Sequence, residues 1–198
     1  MCPNELFFAL EEVTVNFKIG QKVVYPNHGI GIIEEICTRD IGNGKPSHFY
    51  QLRLISTKSL VMVPVENVHE VGLRPPLTAS QSQRLLDVLA EDFAEPAASW
   101  KDRYKEYSEK MQTGDAFEVA YVLKALAYLN QHKPLSFREK RLFEKARYLI
   151  VSELGAATRS SEAHVDPKVE LALQQACQKH IAGNGSNGKA RAMAAAAR

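Results

Sequence analysis

The chain has 198 residues, with 25 Lys and Arg against 23 Asp and Glu, a formal net charge of +2. This near-neutral balance excludes a polybasic protein that grips phosphate over its whole surface. An apolar content of 45% excludes a chain that is disordered over most of its length. The length suits one domain or two small ones, with a core that needs no disulfide staples. Cys2, Cys37 and Cys177 are an odd number at wide spacing, with no CxxC, and point to a reducing compartment. The opening MCPNELFFALEEV has no basic leader. No apolar run reaches the length of about 18 residues that a membrane span needs. The expectation is a soluble cytoplasmic protein.

Up to Pro75-Pro76 the apolar residues come in short β-branched runs separated by turn signals. Lys22-Val23-Val24-Tyr25 leads into the turn cluster Pro26-Asn27-His28-Gly29. Gly31-Ile32-Ile33 and Ile36 follow, and Gly42-Asn43-Gly44-Lys45-Pro46 is a hairpin signal. Phe49 to Leu54 alternates, Leu60-Val61-Met62-Val63 is another short run, and Val71-Gly72-Leu73 closes the segment. Five short strands of this kind predict a small antiparallel barrel or strongly bent sheet. At least one strand edge is then left open for a partner to cover.

Beyond Pro76 the period becomes helical. Thr78 caps a run carrying Leu85, Leu86, Val88 and Leu89. Ser99, with Asp102 three residues on, resembles a capping box. The helix it opens carries Trp100, Tyr104, Tyr107 and Met111 on one face and ends at Thr113-Gly114. Asp115 and Glu118 start a helix through Val119, Val122, Leu123, Leu126 and Leu129, which Pro134 stops. Ser136 and Glu139 form a full capping box before Phe137, Leu142, Phe143, Ala146, Leu149, Ile150 and Leu154. Asp166-Pro167 opens a last short helix to about Ile181, and the low-complexity GNGSNGKARAMAAAAR reads as a flexible tail.

The charge is unevenly spread. Residues 1–76 carry −1, residues 77–98 carry −3, residues 99–150 carry +4 and residues 151–198 carry +2. Lys101, Arg103 and Lys105 interleave with Trp100 and Tyr104, while Arg138, Lys140, Arg141, Lys145 and Arg147 stud the helix after Ser136. Such faces are either simply solvated or bind phosphate with release of counterions. Trp100 is either a core residue or an exposed aromatic that stacks on or wedges against bases.

Other motifs carry no chemistry. Gly183 to Ala190 nearly fits a phosphate-binding loop, but Ala190 replaces the metal-binding hydroxyl, and no strand precedes the segment. The six histidines show no zinc-type spacing, and His28 reads as a turn residue. No serine sits in a nucleophile elbow. The expectation is a protein without catalytic residues, metal or cofactor.

Taken together, several segments resemble the CarD/CdnL family of bacterial RNA polymerase-binding regulators. They are Phe17-Lys-Ile-Gly-Gln-Lys-Val-Val-Tyr-Pro-Asn-His-Gly-Ile-Gly31, Val61-Met-Val-Pro64 and Val71-Gly-Leu-Arg74 in the first half. In the second half they are Trp100-Lys-Asp-Arg-Tyr-Lys105, Lys110-Met-Gln-Thr-Gly-Asp115, Leu135-Ser-Phe-Arg-Glu-Lys-Arg141 and Ala146-Arg-Tyr-Leu-Ile150. The resemblance runs in order from Phe17 to Leu154. It implies segregated α+β domains: an N-terminal extension (1–16), a Tudor-like polymerase-interacting barrel (17–76), a compact helical DNA-contacting domain (77–160) and a C-terminal extension with its tail (161–198). It further implies that the barrel lends a strand edge to the polymerase β subunit, with Arg39 and Met62 at the contact. Met62 stands where other members carry a second arginine. The DNA-facing tryptophan corresponds to Trp100, and its basic companions to Arg103, Lys105 and Lys140. Asp102 replaces a basic residue of some members.

The function this implies is stabilisation of the promoter open complex at the upstream edge of the bubble, through weak, non-specific minor-groove contacts. The protein would act as a monomer, without membrane or small-molecule substrate. The alternative is a polymerase-binding or other protein-interaction adaptor with no DNA role.

Overall fold

The computed structural model describes residues 17–40, 46–97 and 99–196, with the side chains of Pro46 and of residues 184–196 left aside. The β half is a curled antiparallel meander of β1 (Lys22–Tyr25), β2 (Gly29–Asp40), β3 (Pro46–Leu54) and β4 (Leu60–Pro64), ordered β1-β2-β3-β4. Asp40 pairs with Pro46 at the end of the β2–β3 ladder, so the two strands form a hairpin. The Gly42–Lys45 turn signal itself lies outside the described residues. A bulge between Ile33 and Glu35 bends β2. Alternation then sends Val23, Ile33, Tyr50, Leu52 and Val63 to the inner face, where Phe17, Val68 and Leu73 complete the core. The Tyr50 hydroxyl accepts the Phe17 N–H at 3.3 Å, closing the first described residue onto the sheet.

Among the described residues there are four strands, not the five expected. Val68–Val71 forms a single helical turn, α1, after a 3₁₀ turn at Val65–Asn67. Gly72 ends it at φ 74°, with the Gly72 N–H on His69 O and the Leu73 N–H on Val68 O. The chain then touches the sheet through one bridge, Val24 with Arg74, which covers the edge of β1. Among the described residues, β4 is the uncovered outer strand, and β2 beyond Ile33 has no strand partner on its β1 side.

The helical half consists of α2 (Ala79–Ala90), α3 (Trp100–Gln112), α4 (Ala116–His132), α5 (Phe137–Thr158) and α6 (Glu162–Ala196). Thr78 with Gln81 and Ser136 with Glu139 make full capping boxes, and Asp115 accepts the Phe117 N–H. The expected cap at Ser99 is absent: its side chain makes no capping hydrogen bond. Leu85, Leu89, Tyr107, Met111, Val122, Leu123, Leu126, Ile150 and Leu154 fill one core around α4.

The last helix starts at Glu162 rather than at Asp166 and carries Pro167 inside it, at the loss of one backbone hydrogen bond. Arg147 of α5 holds this start in place, donating to both Asp166 oxygens at 2.8 and 3.0 Å and to Glu170 at 2.6 Å. Val165, Val169, Ala172 and Leu173 enter the helical core, so the segment assigned to an extension from residue 161 begins as part of that core. The backbone continues helical past Ile181 to Ala196, where a tail was expected; the side chains from residue 184 onward lie outside the described residues. Among the described residues, no helix is long and apolar enough to cross a membrane.

Among the described residues, one ion pair joins the halves. Arg74 donates to both oxygens of Glu153 at 2.5 and 2.9 Å and to the carbonyl of Gly114 at 2.7 and 3.2 Å. Glu153 also accepts the Leu77 N–H at 3.3 Å. Gly114, at φ 72°, lets the α3–α4 turn lie against Pro26, where a Cβ would come within 2.8 Å of the proline ring. The sheet and the helices therefore share a clasp built on the turn after β1.

Candidate nucleic-acid interface

The helical stripe expected on α3 is divided in two. At about 100° per residue, Trp100, Arg103, Tyr107 and Met111 fall within one side of the helix. Tyr107 and Met111 are buried, and Arg103 is only 3% exposed. Trp100, the first helical residue, is 43% exposed, with Tyr104 beside it at 37%. Their ring centroids lie 6.1 Å apart. Of the two sequence readings of Trp100, the exposed aromatic is the one observed.

Arg103 departs from its expected role as a phosphate ligand. Its guanidinium turns inward and donates to Glu139 of α5 at 3.0 Å and to the carbonyl of Ala97 at 2.5 Å. Glu139 also receives the Ser136 N–H at 3.0 Å and hydroxyl at 2.6 Å. Burial pushes the Glu139 carboxyl up, but the hydrogen bonds from Ser136 and Arg103 outweigh it and hold its pKa below the ordinary value. One carboxylate thus caps α5 and ties its start to α3. The pair supports the exposed surface from below, because a guanidinium committed to a buried carboxylate is not free to meet phosphate.

Around this support the surface is basic and aromatic. Lys101, Lys105, Lys133, Arg138, Lys140 and Arg141 are all exposed. Phe137, expected in the core stripe of α5, is instead 76% exposed, with the Arg141 guanidinium 5.8 Å from its ring centre. Trp100 and Phe137 both line an open groove of about 580 Å³, together with Lys133, Pro134 and Arg138. Asp102 is the acidic exception on this side. Sequence reasoning missed Phe137 as a surface group, although a signal was present. Like Trp100, it is the first residue of its helix, where the core-facing side runs out of neighbours.

The two residues expected at a polymerase contact lie on the sheet and do not line this groove. Arg39 pairs with Ser47, and Met62 pairs with Gln51, so both occupy the outer face of the sheet, opposite Tyr50 and Leu52. Arg39 is exposed and Met62 half-buried, and Met62 sits on the free β4 edge near exposed Leu60. Both residues are thereby brought to one surface of the β half, separate from the basic surface.

Comparison with known proteins divides the chain at the same joint. Residues 17–76 match the CarD-like/TRCF RID domain, and residues 84–170 match the CarD C-terminal domain. The protein YdeB of Bacillus subtilis (strain 168), whose name designates it a candidate transcription factor, is 30% identical over 138 residues, covering 70% of this chain and 90% of its own length. With both modules matched in order on the fold described above, the chain belongs to the CarD-like family of transcription-related proteins.

Proposed function

We propose that the chain is a transcription regulator that binds the RNA polymerase β subunit through its β half and stabilises the promoter open complex with its helical half. The observation that carries the reading is Trp100: a large indole left 43% exposed at the head of a helix, lining an open groove with Lys133 and Arg138. An exposed ring of this kind can wedge into the minor groove at the upstream edge of the bubble, where base stacking is already broken. Lys105 and Lys140 would hold phosphates, which fix position without reading sequence. Arg103 serves by bracing α3 against α5. On the other half, the β4 edge offers unpaired backbone groups for strand addition, with Arg39 and Met62 on the adjoining face. Weak binding to free DNA is expected, since polymerase supplies the local concentration.

One stacked aromatic contributes about 1–3 kcal/mol, which would slow bubble closure by up to about a hundredfold if it acts only in the open state. Trp100→Ala should therefore keep polymerase binding and shorten the open-complex lifetime. Arg39→Glu should weaken co-purification with polymerase. If Trp100→Ala sustains open promoters as well as the wild type does, the DNA role is refuted and the adaptor reading stands.

A further inference from the structure

α6 runs back past the end of α2 and meets the linker that leads from Glu91 to Trp100. His180 of α6 is 4% exposed and has a carboxylate on each ring nitrogen: Asp92 Oδ1 lies 2.8 Å from Nδ1, and Glu95 Oε2 lies 2.8 Å from Nε2. Two carboxylates accept from both nitrogens only when both carry protons, so the arrangement suits the imidazolium form. Phe93, between the two carboxylates in sequence, stacks on the imidazole with centroids 4.4 Å apart, and Tyr128 of α4 meets it edge-on at 4.7 Å. Lys179 and the buried Lys124 donate to the carbonyls of Ala90 and Val88, each at 2.7 Å, and so cap the end of α2. The far end of the linker is held by Arg103 on the Ala97 carbonyl. The linker is thus pinned at two points, and Trp100 follows three residues after the second.

We infer that His180 is a positioning residue for Trp100. Through Asp92 and Glu95, α6 latches the linker and sets where the indole is presented to nucleic acid. The inference rests on the reading of Trp100 as a DNA contact. The matched C-terminal domain ends at residue 170, so the latch is built from a part of α6 that lies beyond it.

The latch should respond to pH. Burial disfavours the charged ring, but the hydrogen bonds to Glu95 and Asp92 and their charges outweigh it, so the pKa of His180 is raised above the ordinary value of 6.5. The hydrogen bond from His180 in turn holds Asp92 below the usual carboxylate range. The other titratable or charged groups around the ring are Tyr128 and Lys124 on α4, Cys177 and Lys179 on α6, and Glu91 at the end of α2. A raised folded-state pKa means the latch is at full strength below about pH 6.5 and weakens as pH rises through that raised value.

Hydrogen exchange on the full chain tests this. With intrinsic rates removed, a peptide covering residues 91–97 should be about tenfold more protected near pH 6 than near pH 8.5 in the wild type. His180→Gln should lose most of that protection and its pH dependence, while the amides of α4 keep theirs. If His180→Gln loosens α4 as well, the double variant Asp92→Asn, Glu95→Gln replaces it, since both carboxylates sit at the surface and can be neutralised without a cavity. A wild type flat with pH, or protection unchanged in these variants, overturns the latch. In an open-complex lifetime assay near pH 6, His180→Gln should fall toward Trp100→Ala. If Trp100→Ala shortens the lifetime and His180→Gln does not, the positioning role is overturned while the DNA reading stands. If neither shortens it, the DNA reading fails and takes the inference with it.

Discussion

Arg103 and Lys105 stand two positions apart on α3 and do opposite work. Lys105 is exposed, whereas Arg103 is buried against Glu139. Removing one partner of a buried ion pair strands the other, at a cost of about 3–5 kcal/mol. Arg103→Ala should therefore lower stability by about that amount in urea unfolding, and any loss of open-complex stabilisation should accompany the loss of fold. Lys105→Ala and Lys140→Ala should each leave stability within about 0.5 kcal/mol. They should reduce the salt dependence of the DNA contact, because each removes one phosphate partner. Phe137, at 76% exposed, belongs with the lysines. Phe137→Ala should fold as the wild type does and shorten the open-complex lifetime less than Trp100→Ala. Glu139 adds a pH signature. Its folded pKa is depressed, so its contribution is present above the ordinary carboxylate value and lost as pH falls through the depressed one. Glu139→Gln should remove that segment of the acid-unfolding curve.

At the scale of the element, helix starts were more legible than helix faces. The cap at Thr78 and the capping box at Ser136 are legible directly, because a cap is a local hydrogen-bond pattern fixed by residue spacing, whereas the box expected at Ser99 with Asp102 does not form. The Trp100–Met111 stripe was read correctly as one face, yet only its second half is covered. Angular position says which way a side chain points, and the length of the neighbouring helices says whether anything is there to meet it. The segment at Val71–Leu73 looked like a strand for the same reason: β-branched residues at a sheet boundary do not distinguish a last strand from a helical turn closed by glycine. Gly114 is the clearest test of an element boundary. Its positive φ and the absence of room beside Pro26 make Gly114→Ala destabilising by more than about 1 kcal/mol, readable as a lowered thermal midpoint.

For the whole molecule, the clasp of Arg74, Glu153 and Gly114 is the polar tie between two modules that also meet where Gly29 packs against Tyr148, Leu149 and Ser152 of α5. Among the described residues, Arg74→Ala leaves the mostly buried Glu153 with the Leu77 N–H as its remaining partner. The wild type should unfold in one calorimetric transition, and Arg74→Ala in two, with the β half and the helical half melting apart. In a protein that holds one partner with each half, the clasp would set the distance between the two contacts. Its loss should cost open-complex lifetime while leaving each separate binding step intact.

The sequence by itself determined an antiparallel β half followed by a helical half, the caps at Thr78, Asp115 and Ser136, and the concentration of cations after Ser99, because periodicity, capping and charge are properties of neighbouring residues. Its motif set also pointed to the CarD family. Only the tertiary structure decided that Arg103 is buried against Glu139, that Phe137 stands in solvent, and that α6 enters the helical core and returns to the linker before Trp100. Each of these depends on where one helix ends relative to another, and that is set by packing between residues as far apart as Asp92 and His180. No local pattern in the chain encodes it.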